Sequence, residues 1–353
     1  MSEMKEMILD VVDRVLKENV DKDLVDILED GKWAKDLWDI FLENGMTTVA
    51  ISEKNEGAGG DLDDLLNIVR LTGKYAAPIP FAEVTFANTL LEYVSLKPSD
   101  SLVTYMISGN QNFFIEDNRI SGAASNIPWA RYAEKLLVLV NEVDGPQLVL
   151  VELLHADITP STNLAGEPRD TVVLKNSKIV QVSDILNFEQ MHHITKLETA
   201  FRLALITGAI EKVNELTVQY TKEREQFGRP IHRFQLVQQH LVQLAGESAV
   251  MQAAFNNFTA ALLNDSNQNE VAFTCLRAEE AITLAATIGH QVLAAIGTTY
   301  EHALQQYTRR LWSWRDEGVH SDYWSDLIAT DLLENSGNNL WDYLTRNKGE
   351  VKI

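Results

Sequence analysis

The hydrophobic period of this chain changes twice, and the two changes confine it to a small set of folds. Apolar residues recur every three or four positions near the start, at Ile8, Val11, Val12, Val15 and Leu16, and at Trp33, Leu37, Phe41 and Leu42. They do so again later, at Leu203, Ile206, Ile210, Val213, Leu216 and Tyr220, and at Val237, Leu241, Leu244, Ser248, Met251, Phe255 and Phe258. That spacing lines one face of an α-helix. Between these regions stand short β-rich runs, Leu102–Ile107, Asn112–Ile115, Lys135–Val140, Gln147–Val151 and Thr171–Leu174, with Asp144-Gly145 as a hairpin signal. The expected fold class is therefore α+β, mainly α. Its expected domains are an N-terminal helical one over 1–98, a middle β domain over 99–184 and a C-terminal helical one over 185–353.

Charge and cysteine usage remove several function classes. A net charge of -21 at pH 7 opposes nonspecific binding to nucleic acid or to anionic membranes, which basic patches drive. The single cysteine, Cys275, cannot build an intrachain disulfide framework or a cysteine metal cluster. It reads as a small buried residue in a reducing compartment. The charged N-terminus is unlike a signal sequence, and no run is expected to span a bilayer, so a cytoplasmic location is expected. His192, His193, His290 and His302 lack metal-ligand spacing, and no metal is expected. Trp312, Trp314, Trp324 and Trp341 fit a core or a subunit interface. The glycine-rich loop Ile51–Gly60 precedes a helix start, but Glu53, Glu56, Asp61, Asp63 and Asp64 would repel a phosphate there.

One stretch, Tyr220–Gln235, joins two long helical patterns and carries Arg224, Arg229 and Arg233 around Gly228 and Pro230, which stop one helix and restart the next. A cationic turn in an acidic chain suits an anionic ligand through charge-assisted bonds. The alternative is ordinary surface pairing with Glu223 and Glu225. Read in full, Arg224-x-Gln226-Phe227-Gly228-x-Pro230-Ile231 followed by Phe234-Gln235 resembles the signature of acyl-CoA dehydrogenases. A second segment, His290–His302, is similar to that family's Gln-x-x-Gly-Gly-x-Gly-x-x-x-Glu. Gln291, Gly297 and Glu301 are in register, and Ala294 and Ala295 replace two glycines.

The resemblance implies a helical domain, a small β-barrel and a C-terminal four-helix bundle, in that order. It implies FAD as cofactor, held by Arg224, Gln226, Phe227, Gln235, Gln291, Ala294, Ala295 and Gly297, largely on behalf of another subunit. A homomeric or mixed dimer or tetramer, an acyl-CoA substrate oxidised to the 2-enoyl-CoA, and an electron-transfer flavoprotein as acceptor follow from the same likeness. The sequence departs from the family at Ile107–Ile115, where a Thr-Glu-Pro-x-Ala-Gly-Ser-Asp segment is usual, and at Ala124, where a lysine is usual.

The resemblance also points to a catalytic base. Removing an α-proton beside a thioester needs a desolvated carboxylate. Glu301 is the first candidate; its other reading is a first-turn residue behind Thr298 or Thr299 as helix cap. Glu198, 26 residues before Arg224, is the second, with surface pairing to Lys196 or Arg202 as its alternative. Three functions remain open at this point: an acyl-CoA dehydrogenase, a degenerate subunit completing a paralogue's FAD site, and a flavin oxidase or monooxygenase on the same scaffold.

Overall fold

A computed structural model describes residues 3–28, 31–109, 111–264 and 269–335, so Trp341 lies outside the described residues. The chain forms two compact units, residues 1–65 with 77–201, and residues 66–76 with 202–353. Helices α4 (Leu62–Tyr75) and α6 (Phe188–Glu223) contribute to both.

The first unit begins with α1 (Glu3–Asn19), α2 (Lys22–Asp26) and α3 (Lys35–Glu43), and α5 (Phe81–Tyr93) follows α4. Four consecutive N–H groups of the glycine-rich loop, Gly57 to Gly60, donate to the carbonyls of Ser52, Thr48, Ile51 and Val49. Those donors are used internally, and this is the physical reason the loop is not a phosphate cradle.

The strands are β1 (Val103–Met106), β2 (Phe114–Glu116), β3 (Arg119–Pro128), β4 (Lys135–Glu142), β5 (Gly145–Glu152), β6 (Asp157–Thr159) and β7 (Arg169–Val182). They form a mixed sheet ordered β1-β4-β5-β7-β3-β2, with β6 also on β7 and with β1–β4 parallel. The hairpin expected at Asp144-Gly145 joins β4 to β5, with Glu142 paired to Gly145. β7 pairs with β3 and β6 along its first part and with β5 at its end, which wraps the strands around one core. Ile120, Leu136, Val138, Val149, Val151, Val172 and Leu174 fill that core. β3 and β6 were not expected. β3 escapes pattern reading because Ser121-Gly-Ala-Ala-Ser-Asn126 lacks alternation and the strand slips register between Ile120 and Gly122 and between Ala124 and Ile127.

In the second unit the later parts of α4 and α6 join α7 (Gln235–Leu263), α8 (Glu270–Leu293), α9 (Leu304–Asp316) and α10 (Ser321–Asn335). Leu203, Ile206, Ile210 and Val213 on α6 and Leu244, Met251, Phe255 and Phe258 on α7 are buried, as their spacing requires. The segment Glu270–Thr298 is long and apolar enough to cross a membrane by length and composition, which corrects the expectation that no run comes close. Its α8 part packs in the bundle instead, burying Ala278, Ala281, Ile282, Ala285 and Ile288. Cys275 is buried in the same helix, and that burial pushes its thiol pKa up. Trp314 and Trp324 are buried core residues, while half-buried Trp312 stacks on His290.

Candidate active site

The elbow is a small β-hairpin rather than a simple break between helices. α6 ends at Glu223, and β8 (Glu225–Gln226) then pairs with β9 (Arg229–Pro230), Gln226 opposite Arg229. The two turn residues, Phe227 and Gly228, have φ of 51° and 76°. A two-residue hairpin turn of type I′ needs positive φ at both positions, which explains Gly228 and makes Phe227 unusual. The Ile231 N–H donates to the Arg224 carbonyl at 2.9 Å and ties the hairpin to the end of α6.

This geometry turns Phe227 outward, 92% exposed, with its ring edge-on to Phe234 at 6.1 Å. The Arg229 guanidinium lies 4.3 Å from the Phe234 ring centroid, a cation–π contact. Arg224, Arg229, Arg233 and Gln226 are exposed, as is Gln235 at the start of α7. No pairing of the arginines with Glu223 or Glu225 forms among the described residues; Glu223 accepts from Gln219 Nε2 at 2.8 Å instead. An acidic protein therefore presents unpaired guanidinium groups beside an exposed aromatic ring.

The second motif segment adjoins the elbow. α8 stops at Leu293 and a 3₁₀ turn runs from Ala294 to Thr298. The His302 ring stands edge-on to Tyr220 near the end of α6, 6.0 Å between centroids. Gln291, Ala294, Ala295 and Glu301 are exposed, and Gly297 is buried where a Cβ would press on Leu293 and Leu304 at 3.0 Å each. A groove of about 600 Å³ between α7 and α8 ends at Gln291 and is lined also by His240, Gln243, Thr283 and Thr287. Burial pushes the His290 pKa down, which keeps the ring neutral at pH 7 while its Nε2 meets Thr308 Oγ1 at 2.9 Å. Two other histidines weighed as metal ligands also have local ring contacts: His193 stacks on Tyr93 and His192 on Phe188.

Glu198 lies in the first unit and is 6% exposed. The Ser108 hydroxyl donates to its Oε1 at 2.7 Å. Lys196 is itself buried, and Arg202 donates to the backbone carbonyls of Glu317 and Val319, so neither neighbour makes this a solvated surface pair. Ser108 belongs to the loop after β1, where the sequence leaves the family pattern. That loop lies across β3: the Asn112 N–H donates to the Ala123 carbonyl at 3.1 Å, and the Ala123 N–H to Asn112 Oδ1 at 2.6 Å. A side chain at Gly122 would overlap the Asn112 carbonyl, so glycine is needed for this approach. Nearby in sequence, Gln111 Oε1 and Thr199 Oγ1 are buried without a hydrogen-bond partner from the described residues. Sequence reasoning missed Ser108, whose only signal was a polar residue at the end of a strand.

Comparison with known proteins finds one recurring family. Residues 194–314 match the acyl-CoA dehydrogenase C-terminal domain. The acyl-CoA dehydrogenase IpdE2 of Mycobacterium tuberculosis is 26% identical over 297 residues, covering 80% of this chain and 81% of that protein. Over most of its length the chain is similar to acyl-CoA dehydrogenases. Its fold matches the ChsE4-ChsE5 complex from Mycobacterium tuberculosis at a TM-score of 0.81 with 19% identity, over 95% of this chain and 98% of that one. It matches butyryl-CoA dehydrogenase from Megasphaera elsdenii at 0.82 with 15% identity, over 94% and 99%.

At Ala294 the chain keeps a glycine's backbone without the glycine. Ala294 has φ 53° and ψ -138°, a region that L side chains avoid. Strain there is on the order of 1–3 kcal/mol. Glycine would relieve it, less roughly 0.4–1 kcal/mol for the greater freedom of an unfolded glycine. Ala294→Gly is therefore expected to stabilise the chain by about 1 kcal/mol, measured as a higher urea midpoint at an unchanged slope.

Proposed function

We propose that this chain is a subunit of an FAD-dependent acyl-CoA dehydrogenase that converts an acyl-CoA thioester to its 2-enoyl-CoA, in the cytoplasm, with an electron-transfer flavoprotein as acceptor. The observation that carries the reading is the elbow, with Arg224, Arg229 and Arg233 unpaired beside the exposed Phe227 ring. This donor set fits FAD: guanidinium groups suit a diphosphate, and an exposed ring suits a planar nucleotide face. Arg224, Gln226, Phe227 and Gln235 would hold it from the elbow, and Gln291, Ala294, Ala295 and Gly297 from the adjoining turn. When bound, FAD supplies the acceptor for the hydride that leaves the β-carbon.

For proton removal we propose Glu198, with Glu301 second, reversing the order drawn from the sequence. A base for a weakly acidic α-proton gains strength from desolvation, and Glu198 is buried whereas Glu301 is exposed in this chain. The α C–H bond breaks, the proton passes to a Glu198 oxygen, and the electron pair moves toward the thioester carbonyl.

In this reading the elbow's ligand is one held mainly by another subunit, as the resemblance of Arg224 and Gln226 to the family signature implies. A mixed assembly with a paralogous chain is a second reading, in which this chain completes a partner's FAD site. It is favoured by the methyl groups of Ala294 and Ala295 where the family carries glycine, and by the likeness to a complex of two differently named chains.

The visible absorbance of the chain purified alone, and again after coexpression with an acyl-CoA dehydrogenase paralogue, tests the proposal. A yellow homomer with about one FAD per chain, bleached anaerobically by an acyl-CoA, is the expected result. A colourless chain that gains flavin only with a paralogue would replace the homomer by the mixed assembly. A chain that binds FAD in neither setting would overturn the cofactor assignment.

A further inference from the structure

We infer that Ser108 is a positioning residue that holds the Glu198 carboxylate for proton transfer; this rests on the proposed role of Glu198. The two residues are 90 apart in sequence and meet at 2.7 Å through the hydroxyl and Oε1. Glu198 is fixed to the rigid helix α6, while Ser108 stands at the start of the loop that Asn112 ties to β3 at Ala123. A glutamate side chain has several rotamers, and one directed donor on one oxygen removes most of that freedom.

The hydroxyl also suits both protonation states of its partner. It donates to the carboxylate, and after proton transfer it accepts from the carboxylic acid. Alanine does neither. Threonine keeps the hydroxyl at the same carbon and adds only a methyl. The family's usual segment is absent at this point in the sequence, so the contact belongs to this chain's own version of the loop.

The test uses the FAD-loaded assembly of the wild type, Ser108→Ala, Ser108→Thr and Glu198→Gln, with an acyl-CoA that bleaches the wild type. Two rates are followed. One is anaerobic flavin bleaching at saturating acyl-CoA. The other is deuterium uptake at the α-carbon in D2O with the flavin reduced beforehand, when no hydride can leave and only proton transfer is read by mass spectrometry. A hydrogen bond to a charged group is worth about 10- to 100-fold in rate. Ser108→Ala is expected to slow both rates by roughly that factor at unchanged acyl-CoA affinity and FAD content, and Ser108→Thr to restore them. Wild-type exchange in Ser108→Ala, with Glu198→Gln inactive, would overturn the role of Ser108 and leave Glu198 standing. Wild-type exchange in Glu198→Gln would overturn the Glu198 assignment itself. A loss in Ser108→Ala that threonine does not restore, or that follows loss of FAD, would assign Ser108 to loop structure instead.

Discussion

Glu198→Gln is expected to retain FAD and acyl-CoA at wild-type levels while flavin bleaching slows by about 10²- to 10⁴-fold, the usual contribution of a general base. Glutamate and glutamine have near-identical shapes. Glutamine fills the same space at a position only 6% exposed, and its carbonyl oxygen can still accept from Ser108 Oγ, so packing and the loop are preserved. What is lost is the lone pair that takes a proton. Urea unfolding separates loss of the base from loss of the fold: a slowed rate at an unchanged midpoint belongs to proton transfer. Glu301→Gln provides the comparison. Glu301 is exposed beside the elbow, and its amide variant is expected to bleach at close to the wild-type rate. Stopped-flow bleaching of both variants decides the matter: an inactive Glu301→Gln with an active Glu198→Gln would restore the order drawn from sequence.

The parts of this molecule that were legible in the sequence are those that repeat. Helical period located α6 and α7 because each must bury one face over many turns, and β-rich runs located β1, β4, β5 and β7 because their apolar residues are buried, alternate ones filling one core. β3 was not legible because its middle is small and polar and its register slips twice. The elbow's arginines stood out in the sequence as a cationic cluster, but its hairpin did not: a phenylalanine at positive φ is a poor turn signal, and the pairing covers only two residues a side. Glu198 looked like half of a surface pair because Lys196 and Arg202 stand nearby in sequence. Its burial, and the reach of Arg202 to the carbonyls of Glu317 and Val319, depend on contacts that no local window contains. The same holds for Ser108. Chemistry that arises from residues 90 positions apart is set by packing, not by pattern.

Gly208→Ala is expected to be among the most damaging single-methyl changes in the chain, lowering stability by about 3 kcal/mol or more. Helix propensity alone predicts the opposite, since alanine is better than glycine inside a helix by about 1 kcal/mol. The crossing of α4 and α6 decides the sign. A Cβ on Gly208 would overlap the Arg70 carbonyl oxygen and stand 2.6 Å from the Lys74 N–H nitrogen, both backbone atoms of α4. From the other side, a Cβ on Gly73 would overlap the Leu205 carbonyl of α6. Backbone has no rotamer with which to give way, so the two helices must separate. They are also pinned at the same place by Arg70 and Lys74 on Glu211, at 2.5 and 2.6 Å, three residues beyond Gly208. Moving the helices apart stretches these half-buried pairs as well, and the two losses are coupled rather than additive. Urea unfolding of Gly208→Ala and Gly73→Ala provides the check. Each is expected to lower the midpoint, and the double variant to cost less than the sum, because one separation accommodates both methyls. A midpoint raised by Gly208→Ala would mean that propensity prevails and that the helices do not approach at backbone contact.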